Sequence, residues 1–200
     1  MTKNRIYFCK LVPSLNTIKM IQLIPFPKVQ KLPLEIKQIY TDSFPSEERR
    51  KWYELEQILQ QPLFNLLQVV DNQELTGIIS IWNLPDFCFI EHFAIKASSQ
   101  GKETGSQVIK QVIGTQPTRV ILEVDEPITD VAKRRMGFYT RLGFSVCESN
   151  YWQPAYSSEK SKVKMRLMSF PDKIQTEEFD QIKKHIYRAV YQLTKPIDFE

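Results

Sequence analysis

The feature that most constrains the fold is an apolar segment that leads through a glycine-bearing loop into an amphipathic helix. Residues 87–95 are mostly apolar on both alternating faces, which predicts a buried central strand. Residues 100–106 contain two glycines and a lysine, and the positions that follow repeat apolar side chains with helical spacing. Backbone N–H groups of such a loop and of the helix N-terminus converge on one point. The segment therefore predicts a phosphate-binding site.

A second segment, Gly137–Phe144, predicts the end of one helix and the start of a strand. Gly143 stands where a helix commonly stops, because glycine readily adopts the left-handed conformation of that position. Tyr139 then falls just inside the helix end. One predicted strand lies between this helix and the phosphate loop.

The remaining pattern predicts a mixed α/β (α+β) fold. Strands are predicted at residues 21–24, 64–71, 75–83, 87–95, 119–124, 144–148 and 162–168, and helices at residues 33–43, 46–60, 104–114, 129–141 and 177–193. Residues 150–160 are predicted as a loop. The order gives an antiparallel meander, then a βαβ-like centre, then a C-terminal amphipathic helix. We divide the chain into an extension (1–18), one domain (19–170), and a terminal helix with its tail (171–200).

Composition excludes several classes of protein. A chain of 200 residues with a net charge of +4 lacks the basic excess of a nucleic-acid-binding domain. Its densest basic run, Arg49-Arg50-Lys51, follows two glutamates and is typical of a mixed helix surface. Three scattered cysteines predict neither disulfides nor a zinc site, which favours a reducing, cytoplasmic location. No apolar stretch is long enough to predict a membrane span.

Together, the two segments resemble the two core motifs of the GNAT N-acetyltransferases, which move an acetyl group from acetyl-coenzyme A to an amine. The resemblance implies the GNAT fold over about residues 19–169, a mostly antiparallel sheet flanked by helices, with the terminal helix outside the common core. It implies acetyl-CoA as cosubstrate and a small-molecule or peptide amine as acceptor. Residues 134–144 and 151–156 further resemble a GNAT subgroup with RRxGFYxRLGF and YxQPxY segments.

The phosphate loop departs from the family pattern at one position. The family has Gln or Arg, two residues, Gly, one residue, then Gly or Ala; Gln100 and Gly105 match, and Glu103 replaces the first glycine. Glutamate does not adopt unusual φ angles freely, and its charge would repel a nearby pyrophosphate. The side chain could instead point outward as an acid in the first turn of the helix, and Gly101 and Lys102 would partly compensate for the missing glycine. Taken alone, the loop could also be an ordinary turn before a helix. The resemblance implies cofactor contacts from the backbone of Phe93, Ala94 and Ile95 and from the loop residues Gln100, Gly101, Lys102, Glu103, Thr104, Gly105 and Ser106.

The strand before the loop carries an acidic residue among phenylalanines. A regular strand would place Glu91 on one face with Phe87, Phe89, Phe93 and Ile95. Burial would then raise the pKa of Glu91 toward that of a general base, unless a structural salt bridge holds the carboxylate. Several GNAT enzymes carry a Glu in a similar segment that is proposed to accept the proton of the amine.

The next residue, His92, is a candidate for the substrate pocket, although a satisfied core histidine is the more ordinary interpretation of this position.

Resemblance to the second motif makes Tyr139 the candidate general acid, which would protonate the departing thiolate of coenzyme A. The alternative is a tyrosine that anchors the helix to the core. Tyr151, Gln153 and Tyr156 could form a pocket wall, or simply a packed loop. Glu123, at the end of the preceding strand, is expected to form a structural ion pair with an arginine of the helix, Arg134 or Arg135.

The sequence predicts a single-step mechanism. No Cys or Ser lies in an activated context, so the amine is expected to attack the thioester directly in a ternary complex. Glu91 would be the base and Tyr139 the acid, with no metal. The alternative is a GNAT-fold protein that binds acyl-CoA as a sensor or scaffold without catalysis. The terminal helix could also serve a homodimer.

Overall fold

A computed structural model describes residues 21–101 and 103–193. The predicted extension (residues 1–18) and Lys102 lie outside the described residues. The strands are β1 (Gln22–Pro25), β2 (Phe64–Asp71), β3 (Glu74–Asn83), β4 (Phe87–Ile95), β5 (Arg119–Asp125), β6 (Ser145–Val146), β7 (Tyr151–Gln153) and β8 (Val163–Phe170). The helices are α1 (Leu34–Ser43), α2 (Trp52–Ile58), α3 (Thr104–Thr115), α4 (Asp130–Arg141) and α5 (Thr176–Ala189).

The eight described strands form one sheet, which confirms the predicted fold class. Its order is β1-β2-β3-β4-β5-β8-β6, and β7 pairs with β8. Neighbouring strands run antiparallel except β4 and β5, which are parallel because α3 crosses between them. The sheet is therefore a meander followed by a βαβ unit.

Strands β4 and β5 pair only over their first halves. Their register runs from Phe87 opposite Arg119 to Ile90 opposite Leu122, and then the strands part. Glu91 and Glu123 are the first residues beyond this point. From here on, the edge of β4 that faces β5 has no strand partner among the described residues, although the carbonyl of Ile95 accepts from the side-chain amide of Gln100 at 2.9 Å.

A β-bulge at Glu91 coincides with the parting. The register of β4 on β3 shifts between Ser80, opposite His92, and Ile81, opposite Ile90. The extra residue reverses the alternation, so Phe89 and Ala94 share one core cluster while Phe93 packs against the other. The expectation that Glu91 shares a face with Phe93 and Ile95 is therefore wrong.

Two apolar clusters sandwich the sheet. One contains side chains of α1, α2 and α5, and the other contains side chains of α3 and α4. Helix α5 buries the stripe that its sequence predicts: Phe179, Ile182 and Ile186 are at most 6% exposed. This helix is thus part of the protein's own core. Among the described helices, none combines the length and hydropathy needed to cross a membrane.

Three local predictions are wrong. The helix expected from Ser46 to about residue 60 is a 3-10 turn at residues 46–48, then extended backbone, then α2, because Arg49 and Lys51 adopt extended angles around the buried Arg50. The strand expected at residues 144–148 shortens to β6. The loop expected at residues 150–160 contains β7, which pairs with β8.

Candidate active site

A groove of about 1120 Å³ opens where β4 and β5 part. Its lining includes the loop before α3, Glu48 of the 3-10 turn, and Tyr139 of α4. The loop and helix predicted from separate motifs thus share one cavity.

The loop before α3 has the geometry of a phosphate site. The carbonyl of Glu103 accepts the first bond of α3, from the N–H of Gln107 at 3.0 Å, so the amides of residues 104–106 have no partner within the helix. The Oγ1 atom of Thr104 is buried there without a described hydrogen-bond partner. Gly101 adopts φ +76° in the turn ahead. Amides without a partner in the helix, at its N-terminus, fit a pyrophosphate, whereas Thr104 is 1% exposed and does not line the groove.

Glu103 itself adopts the conformation for which the family uses glycine. Its φ is +61°, in the left-handed region, and its side chain is exposed without forming a cap bond. For a residue with a Cβ atom, this conformation costs about 1–2 kcal/mol. Because the side chain forms no bond to these N–H groups, it leaves the amides open.

Glu91 is held in a buried ion pair. Its Oε1 atom accepts from Arg50 at 2.8 Å and from the Tyr156 hydroxyl at 3.0 Å, and its Oε2 atom accepts from the indole N–H of Trp82 at 2.8 Å. Burial alone would raise the pKa of Glu91, but Arg50 and the other donors outweigh it and hold the pKa below its usual range. The expected rise is therefore wrong, and the structural salt bridge is what the structure shows.

Arg50 is the residue that sequence reasoning placed on a surface. It is only 6% exposed, and its guanidinium donates to the carbonyl of Val190 at 2.6 Å as well as to Glu91. Its ring neighbour is Tyr156, with 4.7 Å between the guanidinium carbon and the ring centroid. No sequence signal separated this arginine from its neighbours, because only the tertiary fold gives it a partner.

Glu123, the equivalent residue of β5, has no cationic partner among the described residues. Its carboxylate accepts from the Tyr151 hydroxyl and, at 2.8 and 3.0 Å, from the Tyr191 hydroxyl. Burial raises its pKa to about 7, although the two tyrosine donors act in the opposite direction. The ion pair expected with Arg134 or Arg135 is absent here, since Arg135 instead bonds Asp125 at 2.5 Å.

His92 lines the groove as a neutral, satisfied side chain. Its Nε2 atom lies 2.9 Å from the carbonyl of Glu48, which can only accept, so Nε2 carries the proton. Nδ1 lies 3.4 Å from the Ser80 hydroxyl. Burial lowers the pKa of His92. These contacts match the core histidine that the sequence also allowed.

The aromatic loop divides its residues between the wall and the layer behind it. Gln153 lines the groove and donates to the carbonyl of Glu47 at 3.2 Å. Tyr151 and Tyr156 instead lie behind the two carboxylates, donating one hydroxyl to each. Two of the three residues therefore hydrogen-bond the buried glutamates, and only Gln153 forms part of the groove surface.

Tyr139 lies on the groove wall with its hydroxyl unengaged by any described residue. It is 7% exposed and packs against Phe138 and Phe144. The N–H of Phe144 donates to the carbonyl of Tyr139 at 3.1 Å, and Gly143 takes φ +92°, so the predicted glycine stop is confirmed. Burial raises the pKa of Tyr139 to about 12, which keeps it protonated at neutral pH.

The groove is acidic although the chain is not. Seven carboxylates against two cations are found among its described lining residues: Glu35, Asp42, Glu48, Glu91, Glu103, Glu123 and Asp125 against Lys96 and Arg135. Burial, together with the charge of Asp125, raises the pKa of Glu48 to about 7. An acidic groove favours a cationic ligand.

Residues 34–144 match the model of the acetyltransferase (GNAT) family. A GNAT-family protein from Bacteroides thetaiotaomicron is 26% identical, with a TM-score of 0.75 over 80% of this chain and 92% of that one. No curated protein sequence matches the chain.

More distant structures share the fold. A GNAT acetyltransferase from Elizabethkingia anophelis with acetyl-CoA bound is 14% identical, with a TM-score of 0.52 over 74% of this chain and 96% of that one. The ribosomal-protein-S18-alanine N-acetyltransferase of Escherichia coli is 17% identical, with a TM-score of 0.55 over 79% of this chain and 97% of that one.

Proposed function

The chain belongs to the GNAT acetyltransferase family, and from this we propose that it transfers the acetyl group of acetyl-CoA to a primary amine by direct attack in a ternary complex. The observation that carries the proposal is the parting of β4 and β5 at two buried carboxylates, in a groove that also reaches a phosphate loop and Tyr139. Both substrates can meet in this one cavity.

Acetyl-CoA is the cosubstrate, and the loop offers it a phosphate site. The amides of residues 104–106 would hold the pyrophosphate at the N-terminus of α3. The edge of β4 that β5 leaves uncovered, at Phe93, Ala94 and Ile95, would bond the amides of the pantetheine arm, where the Ile95 carbonyl now accepts from the Gln100 side chain at 2.9 Å. The thioester then reaches the point where the two strands part.

The proposed step moves one acetyl group and one net proton. The amine nitrogen forms a bond to the thioester carbonyl carbon while the C–S bond breaks. Glu123 takes the proton that the nitrogen loses, and Tyr139 gives its hydroxyl proton to the departing sulfur. A proton that returns from Glu123 to Tyr139 through solvent restores both groups.

We assign the base to Glu123 in place of Glu91. A base must be ionised yet hold a proton well near neutral pH, and a pKa of about 7 meets both demands. Glu91 is tied to Arg50, and its lowered pKa makes it a weak proton acceptor. The sequence-based hypothesis that Glu91 is the base stays a prediction. Paired variants of Glu91 and Glu123 compare the two assignments directly.

Direct attack is supported by the state of the described cysteines. Cys88 and Cys147 are buried and do not line the groove. Burial raises the pKa of Cys88 to about 12, so its thiol stays protonated and unreactive. An acyl-enzyme on either sulfur is therefore disfavoured.

The acceptor is proposed to be a cationic amine, either a small molecule or a peptide. The excess of carboxylates along the groove would attract an ammonium group, which releases one proton to solvent before the neutral amine attacks. Glu48 lines the groove with a half-buried side chain, and its ionised form would add to this attraction.

The test pairs two isosteric variants, Glu123→Gln and Glu91→Gln. Coenzyme A thiol release would be followed with acetyl-CoA and a panel of primary amines, from diamines to short peptides. We expect Glu123→Gln to lose about 10²- to 10⁴-fold in turnover while its acetyl-CoA affinity is unchanged. Glu91→Gln should chiefly lose stability, since it leaves Arg50 buried without its anion.

Two results would contradict the assignment. Full turnover by Glu123→Gln, with none by folded Glu91→Gln, would return the role of base to Glu91. Acetyl-CoA binding without thiol release for any amine would favour a non-catalytic acyl-CoA-binding protein.

A further inference from the structure

Glu123 is held from outside the segment that defines the family. The family model ends at residue 144, whereas Tyr191 lies just beyond the end of α5. The hydroxyl of this tyrosine donates to both oxygens of Glu123, at 3.0 and 2.8 Å, and the side chain is 7% exposed. The phenol is thus directed at the proposed base and lies within the core.

We infer that Tyr191 is a positioning residue for acetyl transfer, which fixes the Glu123 carboxylate in the groove and sets how tightly it holds a proton. The inference rests on the proposed role of Glu123 as base. It makes the segment after α5 part of the active site.

Among the groups around Glu123, only tyrosines stabilise its ionised form. The titratable groups that face it are Glu91 of β4, Glu48 of the 3-10 turn, Tyr151 of β7, Tyr156 of the following loop, and Tyr187 and Tyr191 of the terminal segment. Both carboxyls in this set, together with burial, favour the protonated form of Glu123. Only hydrogen bonds from Tyr151 and Tyr191 favour the ionised form among the described contacts.

The same terminal segment also acts on the neighbouring carboxylate. The carbonyl of Val190 accepts from Arg50 at 2.6 Å and so helps to hold the guanidinium against Glu91. One residue later, Tyr191 supplies a neutral donor to Glu123. The terminal segment therefore helps to keep Glu91 of β4 ionised and also contacts Glu123 of β5, which titrates near neutral pH.

Tyr191→Phe tests the inference, because it removes one hydroxyl and keeps the ring. Tyr187→Phe is the matched control: it lies one turn earlier, and its hydroxyl donates at 2.5 Å to the carbonyl of Trp152. The primary readout is a pH titration of carboxyl ¹³C shifts in Glu-labelled protein, with Glu123 assigned from its absence in Glu123→Gln. This readout needs no substrate and no activity.

We expect the pKa of Glu123 to rise by about one unit in Tyr191→Phe and to stay in place in Tyr187→Phe. With an active amine, the acidic limb of kcat/KM should move up by the same amount. The value of kcat/KM would then fall about tenfold at pH 6 and return close to the wild-type value at pH 9.

An unmoved pKa in Tyr191→Phe, or equal shifts in both variants, would overturn the inference. A turnover loss that is uniform across pH, with the acidic limb in place, would also overturn it, because it would show structural support alone. Should Tyr191→Phe fail to fold, Tyr191→Met, which keeps an apolar side chain without a donor, is titrated in its place. A shifted pKa together with full turnover by Glu123→Gln would refute the proposed base and leave the hydrogen-bond effect standing.

Discussion

Two glutamates at equivalent positions of neighbouring strands have opposite chemistry. Glu91 and Glu123 both follow the last pair of residues that join β4 to β5. A guanidinium lowers the pKa of the first, while burial raises that of the second to about 7 against two phenols. At the scale of the residue, the partner decides the function, and the amino-acid type alone does not.

Tyr139→Phe tests the proposed acid at this scale. The variant keeps the ring that packs on Phe138 and Phe144 and loses only the hydroxyl. We expect turnover to fall by about 10²- to 10⁴-fold, because the thiolate would leave unprotonated, with coenzyme A affinity unchanged. Steady-state thiol release and a calorimetric coenzyme A titration measure the two quantities.

The control for this tyrosine is Tyr53→Phe, which alters an exposed phenol outside the groove lining. It should behave as wild type. Full turnover by Tyr139→Phe would make Tyr139 an anchor of the helix and nothing more.

Glu103→Gly tests the unusual loop residue. Glycine relieves the φ of +61°, so we expect a gain of about 1 kcal/mol in the free energy of unfolding. Removal of a solvated charge near the phosphates should tighten coenzyme A about fivefold. Chemical denaturation and calorimetry measure these effects.

Two variants separate strain from charge. Gln73→Gly relieves a similar φ of +68° in the β2–β3 turn and should add stability without a change in affinity. Glu103→Gln keeps the strained φ angle but removes the charge, so it should bind coenzyme A as tightly as Glu103→Gly does. Equal coenzyme A affinities for Glu103→Gly and wild type would show that Glu103 does not weaken coenzyme A binding.

At the scale of the element, α5 belongs to the core and to the active site at once. Its apolar stripe closes the cluster shared with α1 and α2, and the residues after it hold Arg50 and Glu123. The bulge in β4 is the other decisive element. It brings Glu91 and His92 to one side of the sheet, where both contact Tyr156, although a regular strand would alternate them.

Ile186→Ala tests how much α5 contributes to stability. Ile186 is fully buried in the first core cluster, so we expect a loss of about 2–5 kcal/mol in the free energy of unfolding. Arg188→Ala, an exposed position two residues later, should change it by less than about 0.5 kcal/mol. Urea denaturation followed by circular dichroism compares them, and similar losses in the two variants would show that the stripe does not carry the stability.

At the scale of the whole molecule, the parted sheet makes stability depend on pH in two opposite ways. Glu91 has a lowered folded pKa, so its contribution is present above its unfolded pKa of about 4.3 and is lost as pH falls below it. Glu123 has a raised folded pKa, so the folded state loses stability as pH rises from the unfolded value to about 7. Stability should therefore be greatest near mildly acidic pH.

Glu123→Gln should remove the second effect. At pH 8 the variant gains the stability that wild type loses by ionising a buried carboxyl, at most about 4 kcal/mol for a folded pKa of about 7 against an unfolded pKa of about 4.3. At pH 5 the difference should be only about 1 kcal/mol, because pH 5 lies just above the unfolded pKa of about 4.3. Urea midpoints across pH 5–8 measure this, and parallel pH curves for the two proteins would contradict the raised pKa.

The sequence by itself determined the order of elements and two motifs of the groove, because these depend on contacts between residues close in the chain. The periodicity of α3 and the glycine stop at Gly143 are local, and the structure has both. The tertiary structure alone decided which carboxylate stays charged. Arg50 and Tyr191 come from segments far from β4 and β5, and no local pattern records such long-range hydrogen bonds. The bulge at Glu91 was hidden for the same reason, since a register shift exists only between two paired strands.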